Sequence, residues 1–107
     1  MSKNTTMTEA SDQGGKYKKF THEVFDPFAE REVSISWRFR KPSAKETERC
    51  QKQMTKSPVL ALKNLCADAV HPDDKQAMTD MFSEYSGLPT TFGGALLKAC
   101  GYADLGN

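Results

Sequence analysis

The chain contains 107 residues, of which 37% are hydrophobic and 27% are charged, with a formal net charge of +1. This length and composition are typical of one soluble globular domain with a small core. No apolar run approaches the ~20 residues that cross a bilayer, and residues 1–6 lack the apolar stretch of a secretion signal. These features argue against a membrane-spanning protein and against an N-terminal export signal.

The charges are distributed unevenly along the chain. Residues 16–56 carry 11 Lys and Arg against 6 Asp and Glu, whereas residues 57–107 carry 3 Lys against 6 acidic residues. Opposite signs favour packing of the two halves against each other, or head-to-tail self-association. The basic segment also leaves open a weak nucleic-acid patch.

Residues 1–15 are polar, rich in Ser and Thr, and end in Gly-Gly. Such a segment cannot bury enough apolar surface to offset the entropy lost on ordering, so we predict a flexible tail. Residues 16–107 are then predicted to form a single α+β domain.

Two strands are predicted at the start of this domain, over residues 17–25 and 32–40, with a turn between them. In the second strand every other residue from Val33 to Phe39 is apolar, and the alternate positions hold serines and arginines. A period of two places the apolar set on a core face and the alternate set in water. A lone hairpin is marginal in water, so its apolar face is expected to pack on helices or to join another chain's sheet.

Four short helices are predicted in the remainder, and each begins or ends at a local signal. Ser43 with Glu46 forms a capping box, and Ser57 precedes a proline at the first helical position. Gly87 is placed to end the third helix in the left-handed conformation, and Gly101 is placed to end the fourth. The predicted helices span residues 43–55, 58–69, 73–86 and 90–100.

The fourth predicted helix is apolar on two sides, which places it at the centre of the domain or gives one side to a partner. Gly93 and Gly94 each cost ~1 kcal/mol relative to Ala inside a helix, so they need a packing or binding reason. Close approach of another helix explains them better than phosphate binding, because the lysine and the leading strand of a P-loop are missing. The predicted fold is α+β and mainly α, an N-terminal β-hairpin packed on a bundle of about four short helices.

No grouping of side chains indicates catalysis. The three cysteines stand at apolar positions of predicted helices without a CxxC spacing, which is typical of reduced core cysteines. Asp73 and Asp74 point about 100° apart on a helix, so they suit the positive end of its dipole better than a shared site. We predict a non-enzymatic protein with no catalytic residues, cofactor or metal site. A small cysteine-dependent enzyme subunit, using Cys50, Cys66 or Cys100, stays open as an alternative.

Four short motifs between about Ser34 and Gly101 stand out together. They are the aromatic-basic segment from Arg38 to Pro42, the acidic helix start Asp73-Asp74, the break Gly87-Leu88-Pro89 and the segment from Gly93 to Leu97. In this order they resemble the small tail assembly chaperones of long-tailed phages and prophages.

The resemblance implies a mainly helical, non-enzymatic protein that acts in the host cytoplasm and is absent from the mature virion. Such chaperones coat the aggregation-prone tape measure protein while the tail tube polymerises around it. They often exist also in a frameshifted long form that recruits tube subunits, and many self-associate. The implied partners are therefore the tape measure protein and the tail tube protein.

A chaperone for a helical client needs an exposed apolar groove that accepts one face of that helix. Methionine side chains adapt to varied surfaces, so methionines and two further apolar residues are proposed to line the groove, although core packing is their commoner role. The proposed partner-binding residues are Met54, Met78, Met81, Phe92 and Leu97. The alternative function from the residues alone is a nucleic-acid-binding accessory protein that uses residues 16–56.

Overall fold

The computed structural model describes residues 15–103. A two-stranded antiparallel hairpin is followed by four α-helices and one 3-10 turn, which confirms the predicted α+β, mainly α fold. The strands are β1 (Tyr17–Asp26) and β2 (Arg31–Arg40), and the helices are α1 (Ala44–Met54), α2 (Pro58–Ala69), α3 (Lys75–Glu84) and α4 (Leu88–Ala99). Apart from Gly15, the predicted tail lies outside the described residues. Within the described part, no helix is long and apolar enough to span a membrane.

The turn of the hairpin is built around one carboxylate. The two strands pair over 10 residues each, and the pairing ends with Asp26 opposite Arg31. The backbone amides of Phe28 and Ala29 donate hydrogen bonds to Asp26 Oδ1, at 2.9 and 3.1 Å. An aspartate that binds the backbone ahead of it stabilises a tight turn, so the predicted turn is confirmed and its cause is local.

The alternation in β2 matches its burial. Ile35, Trp37 and Phe39 are buried, as predicted for the core face. On the matching face of β1 the burial is weaker, and Phe20 and Val24 are partly buried against the core. The strand β2 therefore supplies most of the sheet's buried surface, while β1 lies nearer the solvent.

Helix α4 lies at the centre of the domain. The Phe92 ring packs on the sheet, with its centroid 4.9 Å from that of Trp37 and 5.9 Å from that of Phe39. On another side of the helix, Gly93 packs so closely on α2 that an added Cβ would lie 2.8 Å from Leu62 Cβ. Both apolar sides of α4 thus face this chain's own core, and close helix approach accounts for Gly93 as the sequence suggested.

Helix α3 is shorter than the predicted helix over residues 73–86. Residues 72–74 form a 3-10 turn, and the helix begins only at Lys75. At the other end Tyr85 adopts an extended conformation, so the helix ends at Glu84. Both differences accompany long-range hydrogen bonds, because Asp74 binds β2 and Tyr85 binds the hairpin turn.

Helix α4 begins at Leu88, two residues before the predicted start at residue 90. Leu88 and Pro89 are both buried, so packing against the core holds this first turn. Gly87 has a right-handed φ of −84°, and the left-handed cap predicted at this residue is wrong. Gly101 has a φ of +99°, which confirms the left-handed end predicted there.

The first two helices follow their local signals. Both keep their predicted bounds to within one residue. Ser43 and Glu46 make the two reciprocal hydrogen bonds of the predicted capping box. Ser57 precedes Pro58 as predicted, but its side chain makes no capping hydrogen bond, so the proline carries this helix start.

The alternation predicted that the arginines of β2 lie free in water, but both of them form ion pairs. Arg38 Nη2 lies 2.9 Å from Asp74 Oδ1, and Arg40 Nη2 lies 2.8 Å from Glu46 Oε2. A further ion pair joins α1 to α2. The Arg38 pair and the α1–α2 pair both connect the basic half of the chain to the acidic half, in agreement with packing of one half on the other.

Replacing Gly93 by alanine is expected to lower the free energy of unfolding by about 1–3 kcal/mol, because the new Cβ overpacks the contact with Leu62. The better helix propensity of alanine offsets at most ~1 kcal/mol of this loss. Gly87→Ala is the matched control, since a Cβ there meets nothing within 4 Å, and it should change stability by under about 0.5 kcal/mol. Urea unfolding measures both variants, and equal midpoints would contradict the close contact.

Stability should fall in acid as the Glu46 carboxylate is protonated. Hydrogen bonds from Arg40 lower the pKa of Glu46 to about 2, from its ordinary value of 4.5. A depressed pKa contributes stability that is complete above pH 4.5 and is lost as the pH falls towards 2. Glu46→Gln should therefore unfold more easily by about 1 kcal/mol at pH 7, after allowance for solvent screening, and the gap should close between pH 4.5 and 2.

The exposed Glu48 on the same helix supplies the control for this measurement. Glu48→Gln should track the wild type at every pH, because surface substitutions change stability by less than about 0.5 kcal/mol. A difference between Glu46→Gln and wild type that stays constant from pH 7 to pH 2 would show that the ion pair does not carry the effect.

Candidate binding groove

A groove of about 560 Å³ lies between the tip of the hairpin and the junction of α3 with α4. We call it the tip groove. One wall comes from β1 and the hairpin turn, and the other comes from the end of α3 and the start of α4. The hairpin wall consists of His22, Val24, Phe25, Asp26, Pro27 and Phe28, and the helical wall consists of Glu84, Tyr85, Ser86, Gly87, Leu88 and Thr91.

One hydrogen bond ties the two walls of the tip groove together. The Tyr85 hydroxyl donates to Asp26 Oδ2 at 2.7 Å, across 59 residues of chain. This bond lowers the pKa of the Asp26 carboxyl and raises the pKa of Tyr85. Each group is thereby held in the protonation state that the bond requires, so the pair acts as a strut and not as a proton donor near neutral pH.

The tip groove is bordered by exposed aromatic side chains. Phe28 is 98% exposed and Phe25 is 59% exposed, and both line the groove. In residues 15–103 the other exposed large apolar side chains are Val59 and Leu60, at the start of α2. Adjacent exposed aromatic residues beside a concave surface are typical of protein-binding sites.

Sequence reasoning missed these two aromatic residues as candidates. Phe28 belongs to a segment interpreted only as a loop between the strands. Phe25 falls on the opposite alternation from Val24, so the period of two already places it off the core face. Two phenylalanines that flank Asp26-Pro27 in a turn are the signal that points to this end of the molecule.

Three of the five residues proposed to bind a partner lie inside the core. Met78, Phe92 and Leu97 have exposed fractions of 1%, 2% and 0%, because their helix faces pack on this chain's own sheet and helices. The exposed position predicted for these three residues is therefore wrong, and they are core residues. Met54 and Met81 are partly buried against the core. Met81 stands one helical turn before the groove residue Tyr85.

The three cysteines are free thiols. Cys50 and Cys66 are buried and Cys100 is half-buried, and none forms a disulfide. Burial raises the pKa of Cys66 to about 12 and also raises that of Cys50. A reactive cysteine needs a lowered pKa, so these two have the environment of structural thiols. Across residues 15–103, His, Cys, Asp and Glu form no cluster of three or more with metal-binding geometry.

The acidic pair Asp73-Asp74 contacts the nearby backbone and one arginine. Asp74 accepts hydrogen bonds from the Arg38 backbone amide at 2.9 Å and from Arg38 Nε at 3.0 Å, and the pairing with Arg38 lowers the pKa of Asp74. The Asp73 amide donates to His71 Nδ1 at 3.1 Å, while the Asp73 side chain is 79% exposed. The two carboxylates do not converge. Both residues stand in the first turn of the helical segment, as predicted, and Asp74 also binds β2.

The aromatic-basic segment of β2 lacks the surface of a single-strand nucleic-acid platform. Trp37 and Phe39 are buried, so they cannot stack on bases. Arg38 and Arg40 are held by Asp74 and by Glu46, which reduces their availability to phosphates.

The arrangement defines a small α+β domain in which a β-hairpin packs on four helices and leaves an aromatic groove at its tip. This chain belongs to the family described as Domain of unknown function (DUF6848), whose model matches residues 11–107. The fold is similar to that of a solved structure described as uncharacterised protein rbstp2171 from Bacillus stearothermophilus, with a TM-score of 0.72 at 17% identity. The match covers 92% of this chain and 95% of that one. None of the curated proteins matches this chain.

Removing the Tyr85 hydroxyl should loosen the tip groove. In Tyr85→Phe the Asp26 carboxylate loses its 2.7 Å partner, so the amides of Phe28 and Ala29 should exchange with deuterium at least about threefold faster. The free energy of unfolding should change little, because water reaches both groups and can replace the lost hydroxyl. Tyr102→Phe is the control, because Tyr102 lies at a separate cavity and should leave both amides unchanged. Unchanged exchange in Tyr85→Phe would exclude the strut.

Proposed function

We propose that this chain is a tail assembly chaperone of the long-tailed phage type, which binds the tape measure protein without catalysing a reaction. The observation that carries the proposal is the tip groove with Phe25 and Phe28 exposed beside it. The family resemblance of the sequence motifs supplies the identity of the client. In this role the protein acts in the host cytoplasm and helps to bring tail tube subunits to the client.

An exposed aromatic ring at a groove suits an apolar helical client. A helix that presents apolar residues at i, i+3, i+4 and i+7 buries them in such a groove, and ring contacts supply a large share of the binding energy. Phe28 is fully accessible, so it can contact a client without rearrangement of the core. The strut between Asp26 and Tyr85 fixes the groove beforehand, which lowers the entropy lost on binding.

Two carboxylates of the tip groove indicate which charges the client would carry. Asp26 and Glu84 stand on opposite walls of the tip groove. They favour a client helix in which lysine or arginine flanks the apolar stripe, because opposite charges at the rim of an interface orient the two partners. A client of this kind is both amphipathic and prone to aggregate when it is left uncovered.

Phe28→Ala should weaken client binding at least about tenfold, because it removes an exposed aromatic contact at the groove and leaves the core unchanged. The chain is co-expressed with a tape-measure-like protein of a long-tailed phage, and the soluble complex is measured by size-exclusion chromatography and titration. Val59→Ala is the matched control, since Val59 is also exposed, at 53%, but lies on α2 outside the groove. This control should leave the affinity unchanged.

A client that stays insoluble with the wild-type chain, with no complex on the column, contradicts the proposed function. Equal losses in Phe28→Ala and Val59→Ala contradict the groove as its site. Titration with DNA and RNA at low salt tests the nucleic-acid alternative, because phosphate contacts lose affinity steeply as salt rises. A salt-independent complex with the protein client favours the chaperone role over that alternative.

A further inference from the structure

The outer edge of β1 is unpaired in the part of the chain that the structure describes. The backbone hydrogen bonds outside regular helices and strands include none from this strand. The outer edge of β2, by contrast, is partly closed, since Val70 bridges Phe39 and the His71 amide donates to the Arg38 carbonyl at 2.8 Å. An open strand edge is a template on which another strand can pair.

The closed end of β2 shows which residues of β1 direct their backbone groups outwards. Both the amide and the carbonyl of Arg38 bind partners away from β1, so Arg38 belongs to a pair that makes no hydrogen bonds within the hairpin. Such pairs alternate along an antiparallel ladder. The residues of β1 opposite Arg38 and the alternate positions after it therefore point their backbone groups to the open edge, and these are Lys19, Thr21, Glu23 and Phe25.

These outward residues are complementary to themselves about Thr21. In an antiparallel pairing of two copies with Thr21 opposite Thr21, Lys19 of each copy faces Glu23 of the other. A shift of the centre by one residue along β1 loses both charge pairs. A shift by two residues places either Lys19 or Glu23 opposite the same residue of the second copy. Opposite charges across strands stabilise a pairing and like charges destabilise it, so this register is favoured over its neighbours.

We propose that the open edge of β1 binds the same edge of a second copy of this chain, in the register centred on Thr21. The two hairpins then form one four-stranded antiparallel sheet with a twofold axis at Thr21. Phe25 of each copy faces Tyr17 of the other in this register. The two hairpin tips point in opposite directions along the sheet, so each copy presents its own tip groove at a separate end.

A second copy is favoured over an unrelated extended peptide because the charge pattern is palindromic. A strand guarded only against aggregation needs charges of either sign and in any order. The order Lys19, Thr21, Glu23 instead matches its own reverse with opposite charges in register. The side chains of all three are exposed, so none is committed to the core.

Charge reversal tests the register directly. Lys19→Glu places two acidic pairs across the twofold axis, so the dimer dissociation constant should rise at least about tenfold in sedimentation equilibrium. The double variant Lys19→Glu with Glu23→Lys exchanges the charges and should restore the wild-type dissociation constant to within about threefold. Lys63→Glu makes the same charge change at an exposed position on α2 and should have no effect.

Three results would overturn the proposal. They are a wild-type chain that stays monomeric up to about 1 mM, equal effects of Lys19→Glu and Lys63→Glu, and a double variant that remains as weak as Lys19→Glu. Circular dichroism establishes that each variant keeps its fold. The readout is the mass of the isolated chain without a client, so failure of the dimer is distinguishable from failure of the chaperone role.

A cross-link gives an independent measurement. In the proposed register the two Thr21 residues form a hydrogen-bonded pair. Their Cα atoms are then about 5.5 Å apart, within the range that a disulfide bridges. Thr21→Cys in a Cys100→Ser background should therefore form an interchain disulfide under mild oxidation. Ser34→Cys in the same background places the thiol on the β2 strand and should cross-link at least about tenfold more slowly. Equal rates for the two thiols, or a faster rate for Ser34→Cys, would exclude the β1 edge.

Discussion

The fold depends on the attachment of the hairpin to the helices through residues 70–74. A two-stranded hairpin is marginal by itself, and it becomes stable only when its apolar face and one edge are covered. Here the His71 amide binds the Arg38 carbonyl, and the Asp74 carboxylate binds both the Arg38 amide and its guanidinium. Backbone pairing, a charge-assisted contact and the burial of Phe39 thus meet at one point, where the basic half of the chain joins the acidic half.

This attachment determines which surfaces of the hairpin remain accessible to a partner. Because this attachment covers the β2 edge at Arg38 and Phe39, the outer edge of β1 is the longer open edge of the sheet. Because this attachment lies at the end of the hairpin where the strands enter and leave, the turn lies at the far end, where the Tyr85 hydroxyl binds Asp26. The tip groove and the open edge are therefore two consequences of the same attachment. The groove uses the turn and side chains at the end of β1, and the edge uses the outward backbone groups of the same strand.

Much of the fold could be predicted because its signals are local. The buried half of the alternation in β2, the capping box at Ser43 and the proline that starts α2 each depend on residues close in sequence, and all three are confirmed. The failures lie where distant contacts override local preference. Gly87 was expected to cap a helix in the left-handed conformation, but burial of Leu88 draws it into the approach to α4. The bonds from Asp74 and Tyr85 span 36 and 59 residues, which no local pattern encodes.

The candidate site was less predictable than the fold, and the reason is physical. An apolar stripe on a helix indicates a face that is buried, but it does not tell whether this chain or a partner buries it. Met78, Phe92 and Leu97 obey the stripe and lie in the core. Phe28 breaks the expected polarity of a turn, and no residue of the described chain covers it. An apolar side chain where the local rule expects a polar one is the sharper sign of a partner, because the fold gains nothing from placing it there.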